Sequence, residues 1–279
     1  MNAPRVTAVF GGGGAKAAAQ IGALRALEEA GLRPSRYVGT SMGGVIAAGA
    51  ASGASADELS RRFRAVKAAE VARPRAFVPI AGLWFPSLLR GEPLREVIGR
   101  LVPQRRFDQL ADPLTLTTVD ADTRELLLLG AGGLDVPLLD ALSATTALPV
   151  YYPPAEVAGR RLLDGGLRAV LPLDVAARFE ADLVVAVDVG PGFDEPAPKA
   201  RLKGPGLLLA HDTSEGILMA QQAEDTLARW RVTPGRCRLL HVRPPLPRQA
   251  TFAVELFSRF EEAGHRAMQD ALAGEHHGA

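Results

Sequence analysis

The sequence contains little cysteine, few aromatic side chains and no excess of either charge. Its 279 residues include one cysteine, Cys237, so no disulfide can form within the chain, and one thiol is too few for a cysteine-based zinc site. Thirty-two Lys and Arg against 31 Asp and Glu leave a net charge of +1, which gives no field that would draw the chain onto a polyanion. We therefore expect no nucleic-acid partner and a reducing, cytoplasmic location.

Long apolar segments are also absent. The N-terminus lacks the basic start and apolar core of a signal peptide, so we do not expect export by that route. Residues 37–56 carry no charge, but Gly, Ala, Ser and Thr fill most of this segment, and we interpret it as buried backbone. The remaining composition, 47% hydrophobic and 23% charged, is that of a globular protein with a full core.

Strand and helix patterns alternate along the chain. Residues 6–10 predict a strand that ends in four glycines, and apolar residues at helical spacing follow from Ile21. Residues 37–40 predict a second strand, which a helix of small residues follows. Further strands are predicted at 114–119, 125–129, 183–189 and 238–242, and helices around 138–144, 173–179, 212–230 and 251–272. This order predicts an α/β fold with three layers, in which helices flank both faces of a mainly parallel central sheet.

Length and composition predict one domain over residues 1–279. We expect a core at about 6–190, a proline-rich linker at about 190–206, a helical and strand extension at 207–273, and a polar tail at 274–279.

A serine lies between the second predicted strand and its helix. Gly39, Ser41 and Gly43 fit the pattern G-x-S-x-G, in which a strained turn exposes a nucleophilic serine and larger neighbours would collide with the flanking elements. The pattern alone also fits a tight turn with no catalytic role. Its placement between a strand and a helix favours the nucleophile.

Gly12, Gly13 and Gly14 follow the first strand and precede the first helix. Backbone N–H groups at such a position stabilise negative charge, as the oxyanion hole of an acyl-transfer enzyme does. The spacing from Gly12 to Ala17 also fits the dinucleotide-binding pattern G-x-G-x-x-A. That alternative needs an acidic residue at the end of the second strand, and no Asp or Glu lies between residues 31 and 56.

A serine nucleophile needs a base, and no histidine is well placed for that role. All five histidines come late in the chain: His211, His241, His265, His276 and His277. Asp164 followed by Gly165 and Gly166 offers a carboxylate, although Asp-Gly-Gly alone is often only a turn.

The three motifs together resemble the signature of patatin-like phospholipases. They are Gly12 through Lys16, Gly39 through Gly43, and Asp164 through Gly166, in this order. The sequence around residues 147–154, 172–189 and 262–264 is similar to this family as well. The resemblance covers nearly the whole chain, from about residue 6 to about residue 272.

This resemblance implies a lipid acyl hydrolase of phospholipase A, lysophospholipase or esterase type. It implies Ser41 as nucleophile, Asp164 as base and the glycine loop as oxyanion hole, acting through an acyl-enzyme with no metal or organic cofactor. A carboxylate is a weak base for a serine hydroxyl. We therefore expect Asp164 to be ionised at neutral pH and within hydrogen-bonding reach of Ser41.

The glycine loop departs from the family pattern at one position. Ala17 stands where family members usually carry glycine, and we expect slight repacking of the loop there. Lys16 occupies the family's basic position, where it either orients the loop, contacts a phosphate or is a solvated cation. Gln20 stands where relatives often have histidine, which argues against a catalytic role at that position.

The most aromatic segment runs from Phe77 to Leu89, and Arg73, Arg75 and Arg90 flank it. An amphipathic lid or a peripheral contact with the inner membrane surface has this composition, and so does a buried connector. Two other functions stay open, a catalytically silent member that binds a lipid or a partner and a nucleotide-binding protein. The sequence does not determine the oligomeric state.

Overall fold

The computed structural model describes residues 4–74, 87–193, 205–247 and 251–276. The strands are β1 Val6–Phe10, β2 Arg36–Gly39, β3 Leu114–Asp120, β4 Leu126–Gly130, β5 Ala155–Val157, β6 Arg160–Asp164, β7 Leu183–Val187 and β8 Arg238–Val242. The helices are α1 Ala18–Glu29, α2 Ser41–Ala51, α3 Ala56–Arg64, α4 Ala68–Val71, α5 Gly91–Leu101, α6 Leu138–Thr145, α7 Gly166–Ala169, α8 Leu173–Ala176, α9 Gly206–Val232 and α10 Phe257–His276. Short 3-10 segments are Gly14–Ala17, Phe107–Gln109 and Val254–Leu256.

Within these ranges, eight strands form one sheet. Seven of them lie in the order β5-β6-β3-β2-β1-β7-β8, and β4 pairs with β3. The pairings between β3, β2, β1, β7 and β8 are all parallel. Strands β4, β5 and β6 add antiparallel pairings at one end. The predicted mainly parallel sheet is confirmed.

Helices cover both faces of the sheet because the central strands are apolar on both sides. In β7, Leu183, Val185 and Val187 pack into the larger core with α1, α2, α3 and α10. Val184 and Ala186 point to the opposite face, where they pack with α8 and α9. Strands buried in this way are nearly continuous apolar runs, as residues 183–187 are.

Two glycines bring α1 and α10 into close contact. A Cβ at Gly22 would overlap the carbonyl oxygen of Glu261, and a Cβ at Gly264 would overlap that of Ala19. The two backbones therefore touch without side chains between them. Because α1 follows the glycine loop directly, this contact supports the loop from behind.

The structure also differs from the sequence prediction in several elements. Helix α9 begins at Gly206, well before the predicted start near Asp212, and α10 continues to His276 instead of ending near Leu272. Helices α4, α5 and α7 and strands β5 and β6 were not predicted. Residues 194–204 of the predicted linker and residues 75–86 of the aromatic segment lie outside the described residues. Among the helices that are described, none is both long and apolar enough to cross a membrane.

The helix contact predicts opposite effects for two glycine substitutions in α10. Gly264→Ala forces a methyl group into the backbone of α1, so we expect the free energy of unfolding to fall by about 1–3 kcal/mol or more. Gly274→Ala is the matched control, because nothing lies within 4 Å of its Cβ position. There, lower backbone entropy in the unfolded chain should raise stability by roughly 0.5–1 kcal/mol. Urea unfolding measures both, and equal stabilities for the two variants would contradict the contact.

Candidate active site

Strands β2 and β6 meet end to end along the same edge of β3. Gly39 at the end of β2 pairs with Leu116, and Asp164 at the end of β6 pairs with Thr118. Strand β4 pairs with residues 115–119 of β3 and so occupies the opposite edge. Because β6 is antiparallel to β3 and β2 is parallel to it, the carboxyl ends of β2 and β6 point toward each other.

Ser41 lies in a sharp turn between β2 and α2. It is the first residue of α2, and its φ of 56° is in the left-handed region, which residues other than glycine rarely adopt. A Cβ at Gly39 would lie 2.5 Å from the Cα of Gly44, and one at Gly43 would overlap the carbonyl oxygen of Gly11. The turn therefore needs glycine on both sides of the serine.

The Ser41 hydroxyl contacts a buried carboxylate. Ser41 Oγ donates to Asp164 Oδ2 over 2.6 Å, and the N–H of Gly166 donates to Asp164 Oδ1 over 2.7 Å. Burial raises the pKa of Asp164 to about 7, although both hydrogen bonds lower it, and the charge of Glu215 raises it further. Asp164 thus lies within the expected hydrogen-bonding reach of Ser41, but with this pKa it is only partly ionised at neutral pH, where the sequence led us to expect an ionised carboxylate.

Buried hydroxyl groups connect the turn around Ser41 to the structure around Asp164. Thr40 Oγ1 lies 2.7 Å from Thr117 Oγ1 and donates to the carbonyl oxygen of Ala169 over 2.7 Å. A Cβ at Gly165 would overlap the Thr117 hydroxyl, so only glycine lets the turn after Asp164 lie against β3.

The backbone N–H of Ser41 has a side-chain partner. It donates to Thr145 Oγ1 over 2.9 Å, and Thr145 is the fully buried last residue of α6. Sequence reasoning missed this residue, because nothing in the pattern of α6 indicates that its end reaches the turn.

The three glycines of the loop differ in their hydrogen bonds. The N–H of Gly12 donates to the carbonyl oxygen of Val170 over 2.8 Å, so it is not available to an oxyanion. Its Cβ position is only 3.3 Å from Ser41 Cβ, so glycine keeps the space beside the nucleophile open. In the part of the chain that the structure describes, the N–H groups of Gly13 and Gly14 have no acceptor. Of the three predicted donors, Gly12 is therefore already paired, and the N–H groups of Gly13 and Gly14 remain the candidates.

Two buried polar side chains hold the glycine loop. Lys16 is 5% exposed, and its Nζ donates to the carbonyl oxygen of Gly190 over 3.4 Å, so the interpretation as a solvated cation is wrong. Gln20 Nε2 donates to the carbonyl oxygen of Gly11 over 2.7 Å. Both residues tie the loop to the structure beneath it.

A buried ion pair lies under the same loop. Asp188 accepts from the N–H of Gly190 over 3.1 Å and from Arg243 Nη1 over 2.7 Å, and His241 Nε2 is 3.5 Å from the same carboxylate. Burial alone would raise the pKa of Asp188, but the contacts with His241 and Arg243 lower it below its ordinary value. The sequence around Asp188 resembles that of the family. It does not reveal that Arg243, which follows β8, is the ion-pair partner.

The histidines have other partners. His211 lies 3.4 Å from Asp212, and His265 lies 2.8 Å from Glu29. None of the histidine contacts found in the described ranges involves Ser41 or Asp164. The same ranges contain no group of three His, Cys, Asp or Glu side chains placed to hold a metal ion.

A cavity of about 650 Å³ opens beside Ser41 and Asp164. Apolar side chains from α3, α4, α5 and the turn between α3 and α4 line it: Phe63, Val66, Val71, Leu94, Val97 and Leu101. Helix α9 lines it as well, with Asp212, Glu215 and Met219. Tyr151 is another lining residue, and its hydroxyl is 2.7 Å from Asp212 Oδ2. The cavity thus combines a serine hydroxyl, a buried carboxylate and space for an apolar chain.

Comparison with known proteins finds similarity over the same motifs. A family described as patatin-like phospholipase matches residues 8–177. Over 199 residues the chain is 31% identical to an uncharacterized NTE family protein of Mycobacterium tuberculosis, covering 71% of this chain and 53% of that protein. Over 189 residues it is 32% identical to human patatin-like phospholipase domain-containing protein 6, covering 66% of this chain and 13% of that protein.

Among solved structures, VipD from Legionella pneumophila aligns with 97% of this chain and 67% of its own, at 12% identity and a TM-score of 0.47. The chain spans about half the length of the mycobacterial relative and a small part of the human one.

The hydrogen bond between Ser41 and Thr145 predicts that a substitution of similar side-chain volume at position 145 lowers the stability of the protein. Thr145→Val removes the acceptor and leaves the partly buried Ser41 N–H without its partner, so we expect the free energy of unfolding to fall by about 1–3 kcal/mol. Thr145→Ser keeps the hydroxyl and is the control, from which we expect a smaller loss. Urea unfolding of both variants measures this difference. A valine variant as stable as the serine variant would contradict a stabilising hydrogen bond from the Ser41 N–H to Thr145.

Proposed function

This chain belongs to the patatin-like phospholipase family, and on that premise we propose that it hydrolyses carboxylic esters of lipids through Ser41 and Asp164. The observation that carries the proposal is the 2.6 Å hydrogen bond from Ser41 Oγ to a buried carboxylate at the edge of an apolar cavity. Its curated relatives are longer chains, so the activity is proposed for this chain on its own geometry.

In the first half of the reaction, Ser41 Oγ attacks the ester carbonyl carbon while its proton passes to Asp164 Oδ2. The carbonyl oxygen becomes negatively charged and accepts hydrogen bonds from the N–H groups of Gly13 and Gly14. The bond to the alcohol then breaks, and the alcohol leaves with the proton from Asp164. The products are a free alcohol and an acyl group on Ser41.

In the second half, a water molecule gives a proton to Asp164 and attacks the acyl carbonyl carbon. The same N–H groups hold the negative oxygen. When the bond to Ser41 Oγ breaks, the serine takes the proton back from Asp164. A carboxylic acid leaves, and both side chains return to their starting states.

The surroundings of Asp164 suit this exchange of a proton. An acid–base group works best when its pKa is near the operating pH, and burial brings the pKa of Asp164 to about 7. Ser41 starts α2, so the positive end of that helix dipole lies beside the developing negative charge.

The cavity supports a lipid ester as substrate. Its apolar lining from α3, α4 and α5 suits an acyl chain, whereas Asp212 and Glu215 of α9 suit the polar part of the molecule. A phospholipid, a lysophospholipid or a simple acyl ester satisfies this arrangement. A catalytically silent lipid-binding protein is the alternative that the first experiment separates.

We expect Ser41→Ala and Asp164→Asn to abolish hydrolysis of p-nitrophenyl esters and of a labelled phospholipid. The serine variant loses the nucleophile, roughly a 10⁴-fold effect or more, and the asparagine variant loses the base, roughly 10²–10⁴-fold. Matched controls are Ser52→Ala, directly after the last residue of α2, and Asp174→Asn, whose carboxylate forms an exposed ion pair with Arg229. A fluorophosphonate probe should label the wild type and not Ser41→Ala. A wild type that hydrolyses no ester and does not react with the probe would support the silent lipid-binding alternative.

The pKa of Asp164 predicts the pH dependence of kcat/KM. The base must be ionised, so activity should rise about tenfold per pH unit on the acid side and level off above about pH 7. Glu215→Gln removes a negative charge that raises this pKa, so the inflection should move to lower pH. Hydrolysis of a soluble ester from about pH 5 to about pH 9 measures both curves. A profile without an inflection, or an unmoved one in Glu215→Gln, would contradict the assignment.

A further inference from the structure

The two halves of α9 differ in burial. The buried residues of this 27-residue helix, Ala220, Ala223, Thr226, Leu227 and Trp230, all lie in its second half. In the first half, Leu207 is 72% exposed, Ile217 54% and Leu218 66%. Most exposed positions of the second half are instead polar, as at Gln221, Glu224 and Asp225, and the large apolar exception is Val232, the last residue of the helix. The large exposed apolar side chains of α9 are therefore concentrated in its first half.

The exposed apolar side chains form one surface. Leu207 and Leu218 are eleven residues apart, which is close to three full helical turns, so they point in the same direction about 16 Å apart. Ile217 is the neighbour of Leu218, and Phe193, 49% exposed, lies in the loop after β7. That loop meets α9 where Pro191 is 3.8 Å from the Cβ position of Gly216. We call Phe193, Leu207, Ile217 and Leu218 the rim patch.

The rim patch continues into the active-site cavity. Phe193 and Ile217 line that cavity together with Ser41 and Asp164, while Leu207 and Leu218 extend the surface outward. Seven large apolar side chains are exposed in the described part of the chain, and four of them belong to the rim patch. Such a concentration is typical of an interaction surface, whereas apolar side chains that are exposed singly need no explanation.

We propose that the rim patch docks the protein on a neutral or zwitterionic lipid surface, from which the ester enters the cavity. This inference rests on the proposed function. The occupant follows from continuity, because Phe193 and Ile217 of the patch line the same cavity as Ser41, and apolar side chains from α3, α4 and α5 line that cavity too. A lipid that leaves its surface at the rim patch therefore enters a cavity lined largely by apolar side chains.

On the helix that carries most of the patch, charge favours a neutral surface over an anionic one. Residues 205–228 contain no Lys or Arg, so this part of the helix offers nothing that attracts anionic headgroups. The nearby carboxylates belong to the cavity wall, where Asp212 accepts a hydrogen bond from Tyr151. Docking should therefore come from burial of apolar surface and should not depend on salt.

Vesicle flotation with phosphatidylcholine tests the docking surface. We use the Ser41→Ala protein, so that the lipid is not consumed, and compare it with the same protein carrying Leu207→Gln and Leu218→Gln. Neither leucine lines the cavity. Val232→Gln is the matched control, because Val232 is 77% exposed at the far end of the same helix. We expect the double substitution to lower the partition coefficient about tenfold or more, and the control to leave it unchanged, at both low and high salt.

Activity separates this inference from the proposed function. With Ser41 restored, the double variant should hydrolyse a short soluble ester at the wild-type rate and a vesicle-bound ester more slowly. If no protein hydrolyses any ester, the proposed function fails, while flotation still reports on docking.

Three results would overturn the inference. The first is equal flotation of the parent and the double variant, including no flotation of either. The second is binding to anionic vesicles alone, or binding lost at high salt. The third is a parent that is dimeric by light scattering and a double variant that is monomeric, which would make the rim patch an interface between two copies.

Discussion

The active site depends on two strands that meet end to end along one edge of β3. Strand β2 ends two residues before Ser41, and β6 ends at Asp164. Strand β4 pairs with the other edge of β3, so β2 and β6 share one edge. If β6 were parallel to β3, its carboxyl end would point away from β2, and the two side chains would be separated by the length of the strand. The antiparallel end of an otherwise parallel sheet is therefore what brings the Ser41 hydroxyl within 2.6 Å of the Asp164 carboxylate.

This geometry carries an electrostatic cost. Asp164 has an ordinary pKa of 3.8 and a folded-state pKa of about 7, so its ionisation in the core costs about 4 kcal/mol. The folded protein holds this proton more tightly than the unfolded chain, so the cost is absent below about pH 4 and grows as the pH rises to about 7. The left-handed backbone of Ser41 adds strain. Burial of the central strands on both faces offsets these terms.

Local sequence predicted the parts of the site that depend on local backbone. The glycines at 39 and 43 indicated the turn around Ser41, because close approach of neighbouring backbone tolerates no side chain there. The pairing of Thr118 with Asp164 joins residues 46 positions apart, and no periodicity in β6 encodes it. Likewise, the spacing of the glycine loop did not show that Val170 occupies the N–H of Gly12. Helix α9 was predicted too short because its first half has no buried face to produce an apolar stripe.

The exposed half of α9 is linked to the base through Glu215. This carboxylate lies on the cavity wall, burial raises its pKa, and its charge raises the pKa of Asp164. A lipid surface on the rim patch would remove water from the cavity mouth and lower the local dielectric, which strengthens interactions between the charges inside. The repulsion between Glu215 and Asp164 would become stronger. The hydrogen bond from Ser41 to Asp164 would become stronger as well. If the rim patch docks as proposed, docking and proton transfer are coupled through one helix, because the segment on which the lipid would lie also carries Glu215.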